Sequence, residues 1–424
     1  MEALICAGVI ALGLMVVAIG QSTVPKSDRP YIWACFLGHV VSAFALLLLT
    51  YHFFGHGDVQ HYYNYGDQLA EYIRREPMRW GPEVLLLILQ QDADLPIHIF
   101  GTEGSSTTSI IGVTAFVMIL TASSEYATGL LMSFWAFSGQ WALYATFRNH
   151  FPEKYRKRVM IATLLMPSAV FWSSGVVKEA IALAGLGWIV WGLHRWIYNR
   201  RRLVAFAWIF FGGVTVAISK SYILFPMAAG AGIWAFWRRS MATRGSAAIA
   251  TKPVYLAGAA VVAVVGMLAL GEVFPRYSID SLAEETANLQ YQGERVEGGS
   301  SYSMGNPDET SLAGQLAFTP VALTAALFRP FIFEAHNPVA LVNTLETTII
   351  LYLWIKILWI RGIRGAWQVI QSSPPLMFCL VFVLLFGLGV GLGTTNLGTL
   401  SRYRVPMMPL YGLILLMLYP RKES

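Results

Sequence analysis

The sequence has few charged side chains and few cysteines, and both scarcities narrow the class of protein. Only 13% of its 424 residues are charged, against roughly 25% in a typical soluble domain. The net charge of +6 comes from short basic clusters between apolar runs, so we expect no nucleic-acid partner. The cysteines lie in apolar segments without metal-ligand spacing, which predicts small buried side chains at Cys6, Cys35 and Cys379.

Long apolar runs take the place of the missing charge. Hydrophobic residues make up 56% of the chain, and several runs reach the roughly 18–20 residues that cross a bilayer. The sequence therefore predicts one all-α membrane domain, residues 1–424, built as a polytopic transmembrane bundle of about 11–13 helices. The candidate spans are about 3–20, 32–54, 126–147, 159–174, 178–198, 203–219, 222–237, 254–271, 341–360, 375–395 and 404–419.

Basic clusters determine the predicted orientation. If the basic residues around 26–29, 148–158, 200–202, 238–252, 361–364 and 421–422 are all cytoplasmic, the positive-inside rule is satisfied at every turn. This requires two short apolar stretches, 109–121 and 317–333, to make no net crossing, and they remain open as re-entrant, interfacial or full spans. Two large acidic loops, 55–125 and 272–316, then face outward, and we interpret most of their carboxylates as solvated surface.

The first outer loop begins with a polar cluster, His-Gly-Asp-Val-Gln-His-Tyr-Tyr-Asn-Tyr-Gly-Asp at 56–67. Asp58 lies just past a predicted helix end, where a carboxylate could act as a general base or bind a cation. Asp67 also follows a glycine and is the competing carboxylate. The spacing of the histidines is not a metal-binding pattern, so no metal ligands are assigned. An acceptor could contact His56, His61 and Tyr62; the alternative is a solvated interfacial loop.

Isolated charges at predicted outer helix ends are the second set of candidates. Basic residues on the outer face run against the orientation rule, so a bound phosphate would explain them. These candidates are Lys178 with its neighbour Glu179, Lys220, Arg329, Arg402 and Arg404, and the segment after Arg329 adds Glu334 and His336. Structural alternatives remain open: a Lys178–Glu179 surface pair, an Arg329–Glu346 ion pair, and snorkelling of the last two arginines.

Together these segments resemble membrane glycosyltransferases of the C superfamily (GT-C) and the related bacterial polysaccharide polymerases. The shared features are an early Gly-Asp loop, a Pro-Ser-x-x-Phe-Trp-Ser…Lys-Glu turn from Pro167, a Phe-Arg-Pro segment at Arg329, and Arg-Tyr-Arg-x-Pro-x-x-Pro from Arg402. Two predicted helices precede the early loop here, where the family has one. The resemblance implies that Asp58 is the catalytic base or a metal ligand, which leaves a divalent cation open as a cofactor. It also implies that the lipid-linked phosphate is held by Lys178, Lys220, Arg402 and Arg404.

The expected activity is sugar transfer or polymerisation from a polyprenyl-phosphate-linked donor at the outer face of a bacterial inner membrane. The implied partners are the polyprenyl-linked sugar and the lipid bilayer. Two other classes remain open. A transporter of an anionic or lipid-linked substrate would be expected to have inverted repeats with interrupted helices, and the sequence shows none. A non-catalytic subunit of an envelope assembly would use the acidic loops to dock its partners.

The predicted orientation places Met1 outside and Ser424 inside the membrane. A membrane-impermeant thiol reagent added to intact cells should therefore label Gln290→Cys and spare Thr243→Cys, because the two positions fall on opposite faces. The background for both is a chain whose three native cysteines are replaced by alanine. Labelling of Thr243→Cys with protection of Gln290→Cys would reverse the orientation and the proposed outer site with it.

Overall fold

A computed structural model describes residues 1–55, 57–97, 99, 105–198, 201–244, 312–335 and 337–420. The regular structure of these residues is helical throughout, which confirms the all-α prediction. The first eleven helices are α1 Glu2–Gly20, α2 Arg29–Leu49, α3 Asp58–Arg75, α4 Pro77–Ile88, α5 Ser106–Leu120, α6 Glu125–Phe147, α7 Arg156–Leu164, α8 Pro167–Trp172, α9 Lys178–Tyr198, α10 Arg202–Lys220 and α11 Leu224–Arg244. The remaining described helices are α12 Leu312–Ala317, α13 Thr319–Phe328, α14 Pro338–Gln371, α15 Pro374–Leu392, α16 Leu397–Tyr403 and α17 Met408–Leu418.

Several of these helices are long and apolar enough to cross a membrane. Within the described residues there are six such segments, or seven if the bent pair α5–α6 counts as one. They are Glu2–Thr23, Arg29–Phe54, Lys178–Tyr198, Arg202–Met241, Pro338–Gln371 and Pro374–Leu392. The count is lower than the eleven or more spans that the sequence predicts, partly because the predicted span 254–271 lies outside the described residues, as does nearly all of the predicted loop 272–316.

The two predicted spans 203–219 and 222–237 meet without a long turn. A single 3₁₀ turn, Ser221–Ile223, joins α10 to α11, and together they form one apolar helical segment of 40 residues. The predicted span 404–419 also differs, since a 3₁₀ turn at Val405–Met407 precedes the 11-residue helix α17. The shorter apolar stretch 317–333 contains the 10-residue helix α13.

The predicted span 159–174 is broken in two. Helix α7 ends at Leu164, Met166 has extended backbone with ψ of 116°, and α8 begins at Pro167. A residue that precedes proline is disfavoured in the helical region, whereas proline itself suits the first helical position. The proline therefore ends one helix and starts the next.

The chain consists of two compact units. Unit 1 contains Met1–Arg148 and Leu164–Ser221, and unit 2 contains Asn149–Thr163 and Tyr222–Ser424. In unit 1, α9 packs between α6 and α10, and α2 packs against α6 and α8. In unit 2, α15 packs against α11, α13 and α17, and α14 packs against α17.

The described residues of the predicted outer loop 55–125 are largely helical. Helices α3, α4 and α5 pack against one another and form what we call the α3–α5 layer of unit 1. The apolar side of α3 recurs every three or four residues, as an amphipathic helix requires; its buried positions are Val59, Tyr62, Tyr63, Gly66, Leu69, Ala70 and Ile73. The stretch 109–121 belongs to α5, which meets α6 at a bend of 114°.

Close helix packing in unit 1 generates a stability prediction. A Cβ atom added at Gly187 of α9 would lie 2.1 Å from the carbonyl oxygen of Gly139 in α6. Gly187→Ala should therefore push the two helices apart and destabilise the protein by about 1–3 kcal/mol. Thermal unfolding in one detergent measures the change. The matched control is Gly213→Ala in α10, where an added Cβ meets no atom within 4 Å; equal unfolding temperatures for the two variants would contradict the prediction.

Candidate functional site

Helices α3 and α5 run in the same direction through the α3–α5 layer. A Cβ atom at Gly66 would lie 2.7 Å from Cγ2 of Thr114, and further along both helices Arg74 Nη2 donates to the Met118 carbonyl at 2.9 Å. Because both contacts advance in the same order, the two helices begin at the same end of the layer. We call this the start of the layer. It carries Asp58, the first residue of α3, and Ser106, the first residue of α5.

Lys178 reaches the start of the layer from α9. Its Nζ donates to the Ser106 hydroxyl at 3.0 Å and to the Thr107 hydroxyl at 2.9 Å. The Ser105 hydroxyl caps the same helix end by accepting from the Thr107 amide at 3.2 Å. The half-buried ammonium therefore lies beside the positive end of the α5 dipole, where two like charges favour a bound anion.

Asp58 is exposed at the N-terminus of α3. It follows the apolar segment Arg29–Phe54 closely, so its carboxylate lies just beyond the predicted membrane helix. The negative charge also suits the positive end of the α3 dipole, which is a purely structural role for the same residue. Asp58 and Lys178 thus supply a carboxylate and an ammonium group at the start of one helical layer of unit 1.

Asp67 has a different environment. It accepts a hydrogen bond from the Ser123 hydroxyl, and Arg74 Nη2 donates to the same hydroxyl oxygen at 2.9 Å. Ser123 and its neighbour Ala122 have positive φ angles of 60° and 48° in the turn between α5 and α6. Asp67 and Arg74 therefore hold a strained turn in place, a role that the sequence analysis did not assign to either residue.

The aromatic residues of the cluster are mostly internal. Tyr62 and Tyr63 are each 1% exposed, and the Tyr63 hydroxyl donates to the Glu125 carbonyl at 2.9 Å. Burial, and then the negative charge of Glu125, hold the pKa of Tyr63 well above its usual range, so this phenol remains a proton donor. His61 stacks edge-on against Tyr65 with ring centroids 4.7 Å apart. Its Nε2 is buried and has no hydrogen-bond partner among the described residues; His56 lies outside them.

Lys220 and Glu179 form a buried ion pair. Lys220 Nζ lies 3.0 Å from Glu179 Oε1, and the two side chains are 4% and 1% exposed. Glu179 is thus an internal residue, which differs from the Lys178–Glu179 surface pair considered above. The pair joins the start of α9 to the end of α10, and it neutralises Lys220 inside unit 1.

The candidate residues of unit 2 also have partners inside the protein. Arg329 Nε donates to Glu334 Oε1 at 2.9 Å, and the Glu334 carboxylate also accepts from the Phe331 amide at 2.8 Å. Arg404 is fully buried, and its Nη1 donates to the Arg329 carbonyl at 2.5 Å. Its Nε and Nη2 have no hydrogen-bond partner in the described part of the chain. The negative charge of Glu346 nevertheless favours the charged form of the guanidinium. Arg402 is half-buried, and His336 lies outside the described residues.

A polar network in the apolar interior fixes the turn that precedes Lys178. His39 of α2 is fully buried; its Nδ1 lies 3.0 Å from the Ser174 hydroxyl and its Nε2 lies 2.6 Å from Gln140 Oε1. The next residue, Gly175, has φ of 87° and donates its amide to the Ser133 hydroxyl at 2.7 Å. This network is not among the features predicted from the sequence. The available signal was a histidine inside an apolar span, where polar side chains are costly unless paired.

No group of three or more His, Cys, Asp or Glu side chains that could hold a metal ion occurs in the described ranges. The three cysteines are free and buried, as predicted. A divalent cation at Asp58 stays a prediction.

The buried ion pair gives a stability prediction. Glu179→Gln removes the carboxylate charge opposite Lys220 and should destabilise the protein by about 3–5 kcal/mol, because a buried charge loses its counter-charge. Adding Lys220→Met should restore most of the loss. The control is Glu71→Gln, which breaks the exposed pair with Arg75 and should cost less than about 1 kcal/mol. Thermal unfolding distinguishes the variants, and a loss for Glu179→Gln no larger than that of the control would count against the pair.

Comparison with known proteins gives no relative from which a function could be transferred. No family model matches the chain, and neither a curated protein nor a solved structure matches it. Function is therefore proposed from the chemistry of the helix ends in unit 1.

Proposed function

We propose that this chain is a membrane glycosyltransferase or polysaccharide polymerase that uses a sugar linked to polyprenyl phosphate or diphosphate at the outer face of a bacterial inner membrane. One observation carries the proposal: the Lys178 ammonium lies against the first residues of α5, and Asp58 begins the parallel helix α3 at the same end of the layer. A cation beside a helix N-terminus suits a phosphate, and a carboxylate nearby suits an acceptor hydroxyl.

The proposed reaction is a substitution at the anomeric carbon of the donor sugar. The Asp58 carboxylate takes the proton of the acceptor hydroxyl as its oxygen forms a bond to the anomeric carbon. The bond between that carbon and the lipid phosphate breaks, and the phosphate leaves with the electron pair. Lys178 and the first amides of α5 stabilise the negative charge that develops on the leaving oxygen.

The local supports of Lys178 favour this role. The Ser106 and Thr107 hydroxyls donate or accept freely, so they can hold the ammonium in place and still turn toward a phosphate oxygen. The His39 network and Gly175 set the backbone of the turn that leads into Lys178. Lys220 is neutralised by Glu179, so we assign it to positioning within unit 1 and no longer to direct phosphate contact.

The proposed reaction does not depend on the arginines of unit 2. Arg402 is half-buried and Arg404 is fully buried, and Arg329 is engaged with Glu334. Their contribution to phosphate binding stays a prediction of the family resemblance. The proposed chemistry is therefore tested first on Asp58 and Lys178.

Substitution of the two charged groups tests the proposal. Asp58→Asn keeps the size of the side chain and removes the base, so turnover should fall roughly a hundredfold or more. Lys178→Met removes the charge beside α5 and should slow transfer by about a hundredfold or more. The assay follows transfer of labelled sugar from polyprenyl-phosphate-linked donors in membranes with matched amounts of each variant.

Two further variants separate catalysis from structure. Asp92→Asn, an exposed acid elsewhere in the same region, should keep full activity. Asp67→Asn should lower the unfolding temperature, because Asp67 holds the turn at Ser123, while activity at permissive temperature is largely kept. Full activity in Asp58→Asn with none in Asp67→Asn would transfer the catalytic role to Asp67. Full activity in both, or lipid-linked sugar moved across the membrane without transfer, would refute the glycosyltransferase proposal.

A further inference from the structure

Three cationic side chains of unit 2 gather around the last turn of α17. Arg158 Nη1 donates to the carbonyl oxygens of Leu416 and Tyr419 at 2.8 Å and 2.6 Å. Arg361 Nε donates to the Leu418 carbonyl at 2.6 Å. Two of the cations lie over the Tyr419 ring, with Arg158 Cζ at 5.8 Å and Lys356 Nζ at 5.7 Å from its centroid.

The end of α17 explains the two arginines. The last carbonyl groups of a helix have no partner within it, and the negative end of the dipole attracts cations. Arg158 and Arg361 satisfy these carbonyls, so their positions have a sufficient structural reason.

The end of α17 does not explain the position of Lys356 in this way. Its Nζ donates to the Tyr352 hydroxyl at 3.0 Å and faces the rings of Tyr352 and Tyr419, but it makes no hydrogen bond to a carbonyl of α17. It lies in the apolar run Leu-Tyr-Leu-Trp-Ile-Lys-Ile-Leu-Trp-Ile of α14, where a charge is costly. Within the described residues neither Lys356 nor Arg361 forms an ion pair with a carboxylate.

The shape of α14 places this charge at a boundary. The helix is interrupted at Gly362, where φ is 65° and ψ is 171°, about 9 Å along the axis from Lys356. Large apolar side chains are exposed on both sides of the break, with Trp359 87% and Ile363 77% exposed. Exposed tryptophan beside basic residues is typical of the interface between the hydrocarbon and the headgroups.

We propose that Lys356 and Arg361 bind the phosphate of an anionic phospholipid in the leaflet where α17 ends. The acyl chains of that lipid would lie against the exposed apolar side of α14, and its phosphodiester would supply a negative charge that the described residues do not place there. A lipid suits this surface better than free phosphate, because the cations are flanked by exposed apolar side chains. The site is independent of the proposed glycosyl transfer, which uses unit 1.

Lipid titration of the purified full-length protein tests the site. Native mass spectrometry in detergent counts bound phosphatidylglycerol and phosphatidylcholine for the wild type, Lys356→Gln, Arg361→Gln and the control Lys157→Gln. Lys157 is exposed near Arg158, and its substitution makes the same change of charge outside the cluster. We expect phosphatidylglycerol to bind the wild type more tightly than phosphatidylcholine, with an affinity about fivefold weaker in each cluster variant.

Lys356→Gln is the decisive variant because it leaves in place the hydrogen bonds that Arg158 and Arg361 make to the carbonyl groups at the end of α17. If Arg361→Gln fails to fold, Lys356→Gln alone still decides the question. Unchanged phosphatidylglycerol binding in Lys356→Gln, or an equal loss in Lys157→Gln, would overturn the proposal. It would also be overturned if phosphatidylcholine bound as tightly, or if inorganic phosphate displaced the bound lipid at millimolar concentration.

Discussion

A charge that is removed from water has to find an opposite charge or a set of hydrogen bonds inside the protein, and unit 1 depends on one such pair, Lys220 with Glu179. Both side chains are almost fully buried and 3.0 Å apart, so each makes the other tolerable in an apolar environment. Because Glu179 lies in the first turn of α9 and Lys220 ends α10, the pair also sets how the two helices meet. Lys178, next to Glu179 in sequence, is left to extend toward α5.

The need to pair buried polar groups also applies to the turn that precedes α9. His39, Gln140 and Ser174 come from three parts of unit 1 and satisfy one another in its interior. Gly175 adopts a positive φ that suits glycine, and Ser133 holds its amide. These interactions do not touch the proposed substrate. Their effect is to fix the direction in which α9 starts, and therefore the place where the Lys178 ammonium meets Ser106 and Thr107.

Much of the architecture is predictable from local sequence. Helices α1, α2, α9 and α15 lie close to their predicted spans, because a long apolar run between polar residues has few other solutions in a membrane. The sequence predicts residues 55–125 as an outer loop with one short apolar stretch at 109–121, because the length needed to span a bilayer does not reveal a short amphipathic helix such as α3. The apolar positions Val59, Tyr62, Gly66 and Ile73 carry the helical period, and the cluster at 56–67 is therefore mainly the first turns of a packed helix.

Pairings between distant residues were not predictable in the same way. Lys220 forms an ion pair with Glu179, which is 41 positions away in sequence. Asp67 accepts a hydrogen bond from Ser123, which is 56 positions away. Either side chain could have paired with several other polar groups, and only the packing of the helices selects one. Asp58 and Lys178 could be named as candidates from their residue types and predicted helix ends, but their common location depends on the parallel course of α3 and α5.

Helix α5 has a mechanical consequence for unit 1. It is 15 residues long, which makes it a stiff rod of about 22 Å. The first residues of α5 accept hydrogen bonds from Lys178. The corner at Ala122–Ser123, which follows the other end of α5, is held by hydrogen bonds with Asp67 and Arg74. A rigid helix that is held at both ends cannot move at one end without straining the contacts at the other. A displacement of the corner would therefore be transmitted along α5 to the Ser106 and Thr107 hydroxyls that contact Lys178.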